Sequence, residues 1–406
     1  MGGSRSRGAL CALGVSGTIE WILDPILMTG PMRAQSARAR SARIGSIVIA
    51  GMAVMIATAT TSTPSAWRPP ATMAPPRAPV VLVYYDMEGL AGQEEWRTAS
   101  FQHPEAYRQG RELLVGDVNA VVDGLFAGGA GTVRVVDAHG SGNDEGPDLP
   151  PDRLDRRAET VFSDHPIDGL LELVVAGACD AVVLVAMHAK TGRPGFMAHT
   201  FELGTQVSLN GHWITESEAF GYAWGTVGVP VIFVSGDDRL HEDVATAMPG
   251  IEYVEVKHAV DAHHAIARPL AEARRDLREG AARAIRNRAR IKPLRLATPI
   301  AVRVRAVPPA SLAGLAGIPG VAFADSGVSF AARDLRTAFT GIEPLLRLAT
   351  AASDGLWETV ARHRPDAESL SVAYLDTVVT RAFDYESGRW RPPAVPPRRH
   401  RYHGAN

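Results

Sequence analysis

The sequence predicts an α/β protein: a three-layer domain with a mostly parallel sheet, followed by a smaller α+β C-terminal subdomain. Three observations predict it. Short runs rich in β-branched residues (Val80–Tyr85, Thr132–Val136, Ala181–Ala186, Val229–Val234 and Tyr253–Val256) are apolar almost throughout, as in strands buried on both faces. Longer segments of helical character separate them, Glu105 to Ala127 and Leu240 to Ala247 among them, so each strand can return parallel to another through a crossover. The chain of 406 residues is 46% hydrophobic and 21% charged, a globular balance with enough apolar material for a large core.

Ahead of the first strand, residues 1–78 read as a leader and a Pro-rich linker. Arg33, Arg38, Arg40 and Arg43 precede the uncharged run Ile44–Ala57, and small residues follow it, the layout of a secretory signal peptide. The run is shorter than the ~20 residues of a membrane-spanning helix, although a tilted anchor that includes the following threonines is the alternative. Read this way, the protein is exported to the periplasm or beyond, with transient membrane contact through the leader. Without such processing it is cytoplasmic.

Residues 79–290 are then expected to form the α/β domain. Gly128, Gly129 and Gly131 punctuate the end of the first long helix rather than cradle a phosphate, because they precede a strand instead of linking strand to helix. Arg268 to Arg290 reads as an amphipathic helix stopped by Pro293. Residues 291–360, with strand-like Ile300–Arg305 and Val328–Ala331 and a helix from Leu335 to Thr350, form the smaller subdomain. Residues 361–406 are expected to be a C-terminal extension that ends in a flexible tail.

Net charge is −2, so no broad basic field advertises nucleic acid as a partner. Cys11 and Cys179 cannot build a disulfide framework, and Cys179, just ahead of an apolar strand, reads as a small core residue.

In open α/β sheets functional groups gather beyond the carboxyl ends of strands. Asp86 and Glu88 follow the first strand, two residues apart, so an extended chain can point both at one spot. Asp137 and His139 follow the second strand, and His188 the third. One such residue is ordinarily a satisfied polar group; three coincident strand ends point to a site. Carboxylates with imidazoles and no cysteine fit a catalytic divalent transition ion such as zinc. Beyond His188, a Gly/Pro-containing loop ends in His199 and is placed to fold over a pocket. Glu216 opens a helix with Thr215 and Ser217 as candidate caps, and Asp237 and Asp238 read as caps or acceptors that support the ligands.

Together DMEGLAG at 86–92, DAH at 137–139, MHAKTGRPGFMAHT at 187–200, LNG at 209–211 with Glu216 after it, and SGDDR at 235–239 resemble the zinc-dependent, DppA-type D-aminopeptidase family. The resemblance runs from about Val80 to Ala352. It implies a two-zinc site in each subunit, with Asp86 bridging both ions, Glu88 and His188 completing one, and His139 and Glu216 completing the other. It also implies that His199 is the catalytic histidine and that subunits assemble as ring-based decamers. Ala138, Met187 and the Thr215–Ser217 setting of Glu216 depart from the expected pattern and bear on substrate preference. The activity implied is hydrolysis of an amino-terminal D-residue from short peptides by a water that the zinc pair activates. The competing readings are a metal- and peptide-binding module without turnover and a di-metal phosphoesterase. For the latter, Lys190 and Arg193 are the cations near the ligands.

Overall fold

Alternation along the first strand, β1 (Val80–Tyr85), sets the architecture: Val81, Val83 and Tyr85 enter one buried cluster and Leu82 and Tyr84 another. A strand that feeds two cores must lie in the middle layer of three. The computed structural model describes residues 77–143, 145–162, 166–177 and 179–389. The leader to residue 76 and the segment 390–406, with the export signal and the end of the expected tail, lie outside the described residues. Among the described residues no helix is long and apolar enough to cross a membrane.

The main sheet runs β3-β2-β1-β4-β7-β8-β9, where β2 is Thr132–Asp137, β3 Glu159–Val161, β4 Ala181–Val185, β7 Val231–Asp237, β8 Glu252–Ala259 and β9 Ala265–Ala267. All neighbours are parallel except the edge pair β8–β9. From β1 the chain steps outward to β2 and β3, then returns to the opposite side of β1 at β4. The β1/β4 boundary is therefore the point at which the winding direction reverses and a crevice opens.

One face is covered by α1 (Pro104–Ala127) and α5 (Leu270–Asn287), whose Leu114, Val118, Leu125, Leu277 and Ile285 pack with Val81 and Val83. Pro104 starts α1, where a missing N–H costs nothing, and Gly129 at φ 105° ends it, as the glycine cluster predicts. The other face carries α2 (Pro166–Ala176), α3 (Glu216–Thr226) and α4 (Asp238–Ala247), which contribute Leu170, Phe220, Trp224 and Leu240 to the second core.

The smaller sheet has the order β11-β12-β10-β5-β6, with β5 Thr205–Leu209, β6 His212–Trp213, β10 Ile300–Ala306, β11 Ala322–Ala324 and β12 Gly327–Ala332, all antiparallel. The expected boundary at residue 290 therefore does not separate the two sheets. The β5–β6 hairpin, turned by Asn210 and Gly211 at φ 51° and 84°, comes from the middle of the first segment and pairs with β10. Val207, Val302, Val328 and the α6 (Leu335–Leu356) residues Phe339 and Ile342 share one core with the main sheet's second face. A second correction concerns residues 361–389: α7 (Ala367–Glu386) is a regular helix here, and Val379 and Phe383 are buried in the first core.

Cys179 is buried, and that burial pushes its thiol up to about 12. Because the thiolate is the nucleophile, a raised pKa leaves almost none of it at mildly alkaline pH. We expect iodoacetamide to leave Cys179 unmodified in the folded protein and to label it after denaturation, read by peptide mass. Rapid labelling of the native protein would contradict this packing.

Candidate metal centre

Backbone lacing between strand-end loops assembles the site. Asp86 N–H donates to Val185 O (2.9 Å), Gly89 N–H to Ala186 O (2.7 Å) and Met187 N–H to Ser235 O (2.9 Å). The fit is close enough that a Cβ on Gly89 would stand 2.2 Å from Met187 O, and one on Gly236 2.4 Å from the same atom. Both positions require glycine for lack of space. Asp86 and Glu88 of the β1 loop are thus pressed against His188 of the β4 loop.

His139 arrives from β2. Asp137 receives the Tyr85 hydroxyl (2.7 Å), His139 N–H (2.9 Å) and Asp148 N–H (2.7 Å), so it shapes the turn and is not grouped with the metal-capable cluster. Glu216 arrives from the smaller sheet. The β5–β6 hairpin delivers the chain to the start of α3, where Thr215 and Glu218 form a reciprocal capping box. Thr215 caps as expected; Ser217 does not. Glu216 is the first residue of that helix, and its Oε1 accepts from Phe201 N–H at 2.6 Å.

Asp86, Glu88 and His139 form one group of donors, and His188, His199 and Glu216 another; within each group all donor atoms lie within 4.8 Å. Asp86 faces both, Oδ1 being 2.9 Å from His139 Nδ1 and Oδ2 3.3 Å from His188 Nε2. His139 Nδ1 lies 3.2 Å from Glu88 Oε2, and His188 Nε2 lies 3.5 Å from Glu216 Oε1. The six residues singled out in the sequence are therefore brought together. The closest pairs, Glu88 with His139 and His188 with Glu216, differ from the Glu88–His188 and His139–Glu216 sharing that the resemblance implies. His199 Nε2 stands 4.0 Å from Glu216 Oε1, and its ring stacks on His188 at 4.0 Å and 8°.

The orientation of each imidazole tests whether a cation fits. A backbone carbonyl can only accept, so the ring nitrogen facing it must carry hydrogen. Ala99 O takes His139 Nε2 (2.8 Å), Ala189 O takes His188 Nδ1 (3.0 Å) and Met197 O takes His199 Nδ1 (2.8 Å). The remaining nitrogen of each ring then faces carboxylate oxygens, an arrangement that calls for positive charge between them, from a bound cation or from a proton on the ring. His188 Nε2 is buried without a hydrogen-bond partner.

Charge leads to the same place. Asp86, Glu88 and Glu216 are all buried. Burial opposes ionisation of Asp86, but hydrogen bonds with Glu88 and His139 and the charge of His188 beside it outweigh burial and hold the carboxyl far below its usual range. Burial would likewise lower His188, yet Glu216 and Asp86 push it up to about 10, and Glu88 and Asp86 drive His139 well up in the same way. Protons on these rings supply the positive charge that a divalent ion would otherwise bring.

Several supporting residues escaped the sequence reading. Lys257 of β8 is fully buried and donates to Glu88 O (2.7 Å) and Gln93 Oε1 (2.6 Å), while Asp117 of α1 accepts from Ala91 N–H (2.7 Å) and Arg274 Nε (2.9 Å). Together they grip the loop that carries Asp86 and Glu88. A lysine in a strand and an aspartate in a helix carry no local signal of such a role. Asp237 caps α4 through Leu240 N–H and also accepts from Phe196 N–H (3.0 Å), which steadies the 188–199 loop. Ala186, Met197 and Phe201, all within two residues of His188 or His199, adopt φ of 61°, 52° and 64°. Such left-handed non-glycine residues cost of order 1–3 kcal/mol each and concentrate at functional sites.

The cluster opens into a pocket of about 370 Å³ whose walls include Trp96, Met197, Phe201, Leu346 and Phe383, with Glu202, Glu343 and Arg347 as polar lining. A carboxylate–histidine cluster at the carboxyl edge of a doubly covered sheet, beneath an apolar pocket, defines a metal-dependent hydrolase. The D-aminopeptidase family model matches residues 80–343, and the chain belongs to that family of metal-dependent aminopeptidases. It is 27% identical over 213 residues to the D-aminopeptidase of Bacillus subtilis (strain 168), across 52% of this chain and 74% of that protein. Its fold is that of the Zn-dependent D-aminopeptidase DppA from Bacillus subtilis, described as a self-compartmentalizing protease: TM-score 0.61, 22% identity, 67% of this chain and 98% of that one.

Gly89→Ala should force the β1 and β4 loops apart. We expect a loss of about 1–3 kcal/mol in denaturant unfolding, as for other overpacked sites, together with roughly tenfold or greater weakening of metal retention against a chelator. Wild-type metal retention would show that the close approach at Met187 O does not set the ligand positions.

Proposed function

We propose that the protein releases amino-terminal D-residues from short peptides at a pair of zinc ions held by Asp86, Glu88, His139, His188 and Glu216, with Asp86 shared. The observation that carries this reading is the three histidines, each with one nitrogen tied to a backbone carbonyl and the other turned toward buried carboxylates. When bound, such ions lower the pKa of a water and polarise the scissile carbonyl.

The chain's own groups do the rest. Phe201 N–H fixes Glu216 Oε1, and the Ala99 and Ala189 carbonyls fix the His139 and His188 rings, so ligands are oriented before substrate arrives. His199 lines the pocket at the longest distance from the carboxylates and is more exposed than His188. It is placed to hand a proton to the departing amine or to steady the developing oxyanion. Phosphoester hydrolysis is disfavoured because Lys190 is engaged by Asp243 (2.7 Å), Arg193 by Glu242 (2.5 Å) and the pocket-lining Arg347 by Glu343 (2.6 Å), so each of these cations is already paired with a carboxylate. D-stereochemistry and zinc are carried over from the relatives' descriptions, and the description of one of them as self-compartmentalizing supports assembly into a homo-oligomer, which light scattering tests.

The deciding assay is release of D-alanine from D-Ala-D-Ala and D-Ala-Gly-Gly beside their L-counterparts, before chelation, after it and after zinc is returned. Loss and recovery of turnover with a D-preference is expected; metal-independent turnover would overturn the reading. His199→Ala should keep its zinc and lose about 10²–10⁴-fold in kcat, the range of a lost general acid. A variant that instead loses zinc would make His199 a ligand.

A further inference from the structure

The pocket has a wall that the family match does not cover. The match ends at residue 343, whereas α7 spans Ala367–Glu386 and lines the pocket with Leu375, Val379 and Phe383, spaced four residues apart on one helical face. Phe383 and Val379 are almost fully buried among Trp96, Met197 and other residues of the first core.

The helix is fastened at its middle and at its carboxyl end to the segments that form the site. Asp376 pairs with Arg97 (3.1 Å) and His103 (2.8 Å), which flank the Trp96 side of the pocket. At the carboxyl end Glu386 accepts from Gly192 N–H (3.3 Å) in the loop between His188 and His199. Asp384 meets His263 (3.5 Å), and Arg389 joins Asp384 (3.0 Å) to Asp261 (3.2 Å). Phe383 also meets the His263 ring edge-on at 5.1 Å. A helix held in this way is a fixed part of the site. Its apolar stripe lines the same pocket as Asp86, Glu88, His139 and Glu216, while α6 supplies Leu346 beside Glu343 and Arg347.

We propose that α7 determines specificity: Leu375, Val379 and Phe383 form an apolar subsite over the metal ligands that selects di- and tripeptides bearing a bulky apolar side chain, and the helix body excludes longer chains. The inference rests on the peptidase reading above. An apolar subsite favours a larger hydrocarbon side chain because each methylene it buries contributes to transition-state binding, by ten- to two-hundredfold in a well-formed pocket. Exclusion by length follows from size, because a pocket of about 370 Å³ that α7 helps to wall has room for a short peptide and not for a hexapeptide.

The test compares kcat/KM for D-Leu-Gly with that for D-Ala-Gly, and for a D-Leu-headed hexapeptide with that for D-Leu-Gly, on the full chain. Wild type is expected to prefer the leucine dipeptide and to discriminate against the hexapeptide. Leu375→Ala and Val379→Ala should each lower the leucine-to-alanine ratio about tenfold or more. Leu375→Trp, which fills the subsite, should reverse the preference. Asp376→Asn, which loosens the clasp, should raise the hexapeptide-to-dipeptide ratio. Thermal melts identify any variant that fails to fold, and the remaining variants then decide. Unchanged ratios in folded variants overturn the assignment of α7, and so does a hexapeptide cleaved by wild type as fast as the dipeptide. Absence of chelator-sensitive turnover of D-Ala-Gly-Gly in wild type would sink the peptidase reading itself, and this proposal with it.

Discussion

The site depends on how closely three strand-end loops can approach one carbonyl. Met187 O is approached from one side by Gly89 and from the other by Gly236, with no room for a methyl group at either position. Hydrogen bonds from Asp86, Gly89 and Met187 N–H groups then lock adjacent strand ends together. Remove that contact and Asp86 and Glu88 no longer face His188, whatever the chemistry of the side chains. Parallel strands set about 4.8 Å apart by the ladder supply the coarse spacing. The two glycines close the remaining gap, so a shared carboxylate oxygen pair can serve histidines from β2 and β4 at once.

Bringing those carboxylates together carries an electrostatic cost, and the surrounding structure shows where it is met. Three buried acids in one small volume repel each other, and burial makes each ion unfavourable. Lys257 offsets part of this, although its own burial pulls it down to about 7 and its ammonium is directed to the Glu88 carbonyl and Gln93. The imidazoles supply the rest by holding protons against their usual tendency. The protons on these imidazoles would have to leave for the same nitrogens to hold a cation, so metal affinity and proton release would be two readings of one balance.

The sequence was legible where function follows strand geometry and illegible where it follows tertiary contact. Asp86, Glu88, His139 and His188 each stand just after an apolar run, so topology alone places them on one edge. Glu216 lies on a helix start, where an acid is commonplace, and it enters the cluster only because the β5–β6 hairpin joins the second sheet. The pairing of Thr205–Leu209 with Ile300–Ala306 spans almost a hundred residues and leaves no local trace. Lys257 and Asp117 look like ordinary strand and helix residues until the fold folds them under the ligand loop. The prolines and arginines of residues 391–406 mark a tail, and nothing local marks Ala367–Glu386 ahead of it as part of a site. Its apolar stripe acquires meaning only against the pocket.

These features together place the centre on a thermodynamic edge. Three left-handed residues, a cluster of buried acids and loops crowded to the limit of contact all act against stability, and none is needed to fold an α/β layer. What offsets them is local and dense: the Asp137 turn, the Thr215–Glu218 capping box, the Asp237 contacts and the Lys257–Gln93–Asp117 grip. An ion that binds the folded centre and not the unfolded chain adds RT ln(1 + [M]/Kd), so at a hundredfold excess over Kd it contributes about 2.7 kcal/mol. That is comparable to the cost of one or two strained residues. The ligand loops can therefore be held in a conformation the bare chain would resist, because the cation that makes the chemistry possible also repays the strain of arranging its ligands.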